Sequence, residues 1–89
     1  MNDKQKEILI ITQEECAEVI QSISKIFRFG IDNVHKSGIT QRENFEKEVG
    51  DLMAMIDLLD QYQLIDKTKV DHAIQEKKDK LEIWSNIYK

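Results

Sequence analysis

The sequence contains no proline, three glycines and one cysteine among its 89 residues. Without proline nothing in the chain is bound to break a helix. The glycines at 30, 38 and 50 leave only the stretch from Gly30 to Gly38, which also holds Asp32, Asn33 and Ser37, with the composition of a loop. A lone cysteine, Cys16, cannot form an internal disulfide, and this usage points to a reducing compartment. No apolar run approaches the ~20 residues of a membrane-spanning helix, and no segment has the pattern of a secretory signal. The expected location is cytoplasmic, with no membrane partner. A basic surplus is missing as well: 13 Lys and Arg stand against 17 Asp and Glu, for a net charge of -4. That balance argues against a nucleic-acid polymer as partner. It leaves open a small phosphorylated ligand carried by metal ions.

Hydrophobic residues at 40% and charged residues at 34% describe a globular chain rather than a disordered one. The length makes residues 1–89 one domain. A chain of this size buries only about 60–65% of its unfolded surface. With disulfides excluded, a metal or a partner subunit is what remains to stabilise it. Apolar residues at 9, 16, 20, 23 and 27 predict a helix from Asp3 to Phe29. Thr40 and Glu43 form a capping-box pattern that opens a second helix, running to about Tyr62. Its seam is Phe45, Val49, Leu52, Ile56 and Leu59. A third helix is expected from Asp66 or Thr68 to about Tyr88, with Val70, Ile74, Leu81, Trp84 and Tyr88 as its apolar positions. The fold class is all-α: three helices per chain, in a bundle completed by homo-oligomerisation.

Two stripes begin or end apolar and turn charged midway. The first reads Ile8, Ile11, Glu15, Glu18, Ser22, Lys25, and the second Asn44, Glu48, Asp51, Met55, Leu58, Tyr62. Steps of three and four place each stripe on one helical face. An antiparallel hairpin around the Gly30 to Gly38 loop sets Glu15 and Glu18 opposite Glu48 and Asp51. The same register brings Ile11 to Met55, Ile8 to Leu58 and Ser22 to Asn44. Four carboxylates at one level repel, and some stay protonated unless a cation joins them. An all-oxygen ligand set suits Mg²⁺, or Mn²⁺ in its place. No histidine lies on either stripe, which argues against a di-iron bundle and against zinc. Cys16 reads as a small buried residue. Gly50, in mid-helix between Glu48 and Asp51, marks either close approach by a backbone or ligand or tight helix packing.

The segments Glu14-Glu15-Cys16-Ala17-Glu18 and Glu48-Val49-Gly50-Asp51 together resemble the EExxE…ExxD signature of the MazG-like nucleoside triphosphate pyrophosphohydrolases. The resemblance runs from about Ile8 to the C-terminal helix and is to the short, stand-alone versions often found in phages. It implies a helical bundle completed by dimerisation, often as a dimer of dimers. It also implies Mg²⁺-dependent cleavage of an NTP between the α- and β-phosphates, giving NMP and pyrophosphate. By position, Glu15, Glu18, Glu48 and Asp51 are the implied metal ligands, while Glu14 lies off the stripe. A deoxynucleotide substrate, and a host cytoplasm if the chain is phage-encoded, rest on this resemblance alone. Two departures stand out. Lys47 occupies a position that is often acidic in relatives, and the gap between the half-motifs is slightly long.

Hydrolysis of a phosphoanhydride needs metal charge on the phosphate oxygens and a group that takes the water's proton. Glu15 or Glu18 is the expected catalytic carboxylate. Lys25, on the acidic stripe, and Lys77, which interrupts the seven-residue spacing Val70, Lys77, Trp84, are the expected phosphate contacts. Asn44 and Trp84 are the expected sugar or base contacts. Trp84 serves equally as the anchor of a subunit interface. The expected assembly is a homodimer or homotetramer. The alternative reading is a non-catalytic helical oligomerisation or interaction module, which binds no nucleotide.

Overall fold

Three helices make up the regular structure of the computed structural model, which describes residues 1–89: α1, Asp3–Phe29; α2, Gln41–Gln61; and α3, Lys67–Trp84. The all-α expectation holds. Helix α1 opens on a capping box that the spacing did not predict, in which Asn2 and Gln5 exchange hydrogen bonds of 2.8 and 3.0 Å. Helix α2 opens on the box that it did: Glu43 N–H donates to Thr40 Oγ1 at 3.1 Å, and Thr40 N–H to Glu43 Oε1 at 3.1 Å.

The loop between them completes that helix start. Asn33 O accepts from Gln41 N–H at 2.9 Å and Ile31 O from Arg42 N–H at 2.7 Å, so two N–H groups of the first turn find partners outside the helix. Gly30 and Gly38 take φ of 93° and 89°, a region that side-chain-bearing residues rarely adopt. Asp32 and Arg42 close the loop with an ion pair at 3.0 Å.

Helices α1 and α2 form the one extensive helix–helix contact. Ile8, Met55 and Leu59 are buried there, with Ile11, Leu58, Tyr62, Leu64 and Ile65 packed around them. Ile8 and Ile11 on one side and Met55, Leu58 and Tyr62 on the other are the apolar ends of the two stripes; Leu59 comes from the α2 seam, and Leu64 and Ile65 from the turn after α2. Gln5 Nε2 donates to Tyr62 O at 2.9 Å and ties the open end of the hairpin.

Helix α2 stops through backbone geometry. Gln63 adopts φ 63°, its N–H reaches Asp60 O at 3.0 Å, and the Leu64 N–H reaches Leu59 O at 2.8 Å, a Schellman pattern. Helix α3 starts on Asp66, whose carboxylate accepts from Thr68 N–H at 2.9 Å. It ends at Trp84 rather than near Tyr88. Ser85 Oγ bonds both Leu81 O at 2.7 Å and Ile87 N–H at 3.2 Å, offering the backbone an alternative to the next turn.

Several faces expected to be covered are open. On α1 the set Leu9, Cys16, Ile20, Ile23 and Phe27 is exposed, Phe27 to 86%; Cys16 is thus not the buried residue that the sequence suggested. Of the α2 seam only Leu59 is buried. Helix α3 has no buried residue, and Trp84 is 82% exposed. Nothing lies within 4 Å of a side chain at Gly50, so the chain itself supplies no close neighbour there.

The molecule measures 41 × 36 × 14 Å. It is flat, and α3 makes no extensive contact with the α1–α2 hairpin, so no third helix lies across the hairpin's faces and the helices form a single layer. Its accessible surface of 7105 Å² compares with about 5,400 Å² for a compact monomer of this mass. One layer cannot enclose a core of its own.

The left-handed Gln63 is a position where glycine suffers no Cβ penalty. Gln63→Gly is expected to raise stability by about 1 kcal/mol in urea denaturation.

Candidate metal centre

Past the apolar end of the hairpin, the α1–α2 groove turns polar. Glu15 from α1 and Glu48 and Asp51 from α2 bring one carboxylate oxygen each to within 4.8 Å of one another. Glu48 is 9% exposed, one of three buried polar residues in the groove region with Ser22 and Gln41. Glu15 and Asp51 are half-buried, whereas Glu18 is exposed and stands outside the group. The hairpin thus gathers three of the four carboxylates that the sequence singled out.

Electrostatics follow from this geometry. Loss of water around Glu15 raises its pKa above the ordinary carboxylate value. The negative charges of Asp51, Glu48 and Glu18 push the same way, and Lys47 opposes them. Lys47 lies over the cluster, its Nζ 3.2 Å from Asp51 Oδ2 and 3.5 Å from Glu48 Oε1. Its hydrogen bond and attraction to Asp51, then the charge of Glu48, raise the pKa of its ammonium. The lysine was visible in the sequence as a departure from the family pattern. Its pairing follows from the i, i+4 spacing to Asp51.

The donor set fits a hard divalent cation. An octahedral ion with ~2.1 Å bonds separates its ligand oxygens by about 3–4.2 Å, close to the spacing present here. Acidic side chains often gather on exposed helices without any ion. Two features set this group apart: it is drawn from two helices, and one of its members is buried.

The remaining expected contacts divide. Lys25 lines a cavity at the loop end of the same groove, and Asn44 is half-buried on the α2 stripe. Lys77 and Trp84 lie exposed on α3, which is not among the elements that form the cluster. No bond joins Ser22 to Asn44; the Ser22 hydroxyl donates to Val19 O at 2.7 Å within its own helix. The burial of Gln41, the first residue of α2, escaped sequence reasoning because it depends on how the loop folds over it.

Comparison with family models, with curated proteins and with solved structures finds no match to this chain. The MazG-like resemblance therefore rests on the two half-motifs alone.

A carboxyl whose pKa is raised by folding holds its proton more tightly in the folded than in the unfolded state. Metal-free stability then falls as pH rises through and above the ordinary value of 4.5. Glu15→Gln is expected to raise the Tm of the protein in EDTA at pH 7, with the gain vanishing below pH 4.5. Thermal denaturation across that pH range checks it. Added Mg²⁺ is expected to raise the Tm of the parent protein and to leave that of the variant unchanged.

Proposed function

We propose that this chain is a Mg²⁺-dependent nucleoside triphosphate pyrophosphohydrolase, releasing NMP and pyrophosphate. The observation that supports it best is the meeting of Glu15, Glu48 and Asp51 across two helices at the level given by the motif register. Glu15, Glu48 and Asp51 would hold the ion. Bound there, Mg²⁺ supplies positive charge for the phosphate oxygens and lowers the pKa of the attacking water. Glu18 stands beside the cluster without belonging to it, so its carboxylate is the least engaged and the freest to accept the water's proton. Glu15 is the other candidate for that role. Manganese serves the same oxygen ligands. A deoxynucleotide is favoured as substrate on the resemblance only.

The same reading includes self-association as a homodimer or homotetramer. In support, the molecule is flat with no helix packed across the faces of the α1–α2 hairpin, and Ile20, Ile23 and Phe27 stand exposed along α1. The excess surface of roughly 1,700 Å² over a compact monomer exceeds the ~800 Å² that each partner buries in a standard interface. Glycine at position 50 costs about 1 kcal/mol in a helix, and no contact within the chain accounts for it. Lys77 and Trp84 would then reach a groove as part of a neighbouring subunit. Sedimentation is expected to give at least twice the chain mass of 10.5 kDa, and Phe27→Glu to lower it.

The non-catalytic module shares the exposed apolar faces and differs in the chemistry. The discriminating experiment supplies each NTP and dNTP with Mg²⁺ or Mn²⁺ and separates the products, with Glu48→Gln alongside. Metal-dependent release of NMP and pyrophosphate, lost in the variant, is the expected result. Diphosphate and orthophosphate would move the cleavage to the other anhydride bond. A folded, metal-supplied protein that turns over no nucleotide would favour the module.

A further inference from the structure

The groove between α1 and α2 is graded along its length. At the open end of the hairpin a cavity of about 230 Å³ is lined by Ile8, Ile11, Met55, Leu58 and Tyr62, and its charged rim of Lys4 and Glu7 is balanced. The carboxylates follow. At the loop end lies a second cavity of about 370 Å³, to which Lys25, Arg28 and Lys36 contribute and no carboxylate does. In a chain of net charge -4, three cations around one hollow with no acidic partner form a localised positive field.

The floor of that cavity carries an unanswered group. Gln41 is 3% exposed, lines the hollow, and its Oε1 is buried without a hydrogen-bond partner. Leaving such an amide unpaired costs free energy that an apolar residue would not. A carboxamide turned about its last bond can present either its oxygen or its N–H₂ group to a ligand. Arg28 is held in place as well: its guanidinium lies 5.0 Å over the Phe29 ring. The backbone N–H groups of Gln41 and Arg42 are already spent on loop carbonyls. Side chains, not a helix terminus, therefore make this site.

We propose that the loop-end cavity is an anion site that seats the terminal phosphates of the nucleotide, the pyrophosphoryl group that leaves. That identity of the ligand rests on the proposed function; the anion site itself does not. Lys25 is ten residues beyond Glu15 on α1, about 15 Å along the axis, and helical side chains lean back toward the N-terminus. Its ammonium thus bridges part of the gap between the carboxylates and the hollow. Lys25 and Arg28 neutralise the phosphates, and Gln41 turns its N–H₂ to a phosphate oxygen.

The test titrates inorganic pyrophosphate into the full chain in EDTA, followed by amide shifts in NMR. With no metal present, the ligand can be held only by the protein's own groups, here Lys25, Arg28 and the Gln41 amide. Shifts are expected in residues 25–41, with binding weakened about tenfold by Arg28→Gln or Lys25→Gln. Glu48→Gln is expected to leave this binding intact. Gln41→Leu is expected to raise the Tm while weakening pyrophosphate about fivefold, a pairing that a purely structural glutamine would not give. Absence of binding in EDTA, shifts centred elsewhere, or binding unchanged in Arg28→Gln and Gln41→Leu would overturn the proposal. Pyrophosphate binding without nucleotide turnover would keep the anion site and remove the enzymatic reading. Turnover without such binding would do the reverse.

Discussion

Everything in this protein hangs on the register of one helical hairpin. The α1–α2 contact is the only place where side chains leave water together in number, and it is held at both ends. Gln5 bonds the last turn of α2 at one end, and the loop carbonyls of Ile31 and Asn33 cap its first turn at the other. Between these ties, a slip of one residue would rotate every paired stripe by about 100°. Ile8 would leave Met55, and Glu15 would leave Glu48. The same constraint that buries the apolar end therefore aligns the carboxylates, so the stability of one depends on the geometry of the other.

The register was legible because the stripes change character at matching heights. Ile8 and Ile11 on one side and Met55 and Leu58 on the other could meet only if Glu15 also met Glu48 and Asp51. The capping box at Thr40 and the two loop glycines fixed where the turn lies. Periodicity, however, marks faces that seek burial without saying what buries them. The row of Leu9, Ile20, Ile23 and Phe27 reads as core in the sequence and lies open in the chain. A single layer of helices has a second side, and no element of this chain covers it. Helix α3 was legible in its start, but the Ser85 hydroxyl ended it about one turn early. Of the seam Val70, Lys77, Trp84, only the half-buried Val70 meets α2, across a cavity it shares with Ile56, and Lys77 and Trp84 found no helix to pack on. Glu18 was placed on the acidic stripe by spacing alone, yet it sits about 60° round the helix from Glu15, whose seven-residue line with the buried Ile8 and Ser22 is the one that faces α2.

The buried residues are as telling as the exposed ones. Half of the six are polar: Ser22, Gln41 and Glu48 stand beside Ile8, Met55 and Leu59. Ser22 satisfies itself against its own helix, which is the ordinary way for a hydroxyl to enter a core. Glu48 and Gln41 do not. The one relies on a solvated lysine, and the other leaves its amide oxygen unpaired. A small chain with little apolar burial has slight reserve for such groups. Their presence at the two polar levels of one groove is hard to derive from packing and natural for a surface shaped to receive charge.

Lys47 shows how the chain tolerates three carboxylates at one level. Its ammonium touches Glu48 and Asp51, yet its side chain remains 64% exposed. A lysine so solvated gives up little when its ion pairs break, because water replaces them. It tempers the repulsion around Glu15 and does not plug the groove. An arginine there would bind two carboxylates in a fixed fork and be harder to displace, whereas an acidic residue would add to the repulsion that raises the Glu15 pKa. A flexible point charge at the rim lies between these extremes. The three carboxylates stay together, and the approach to them stays open.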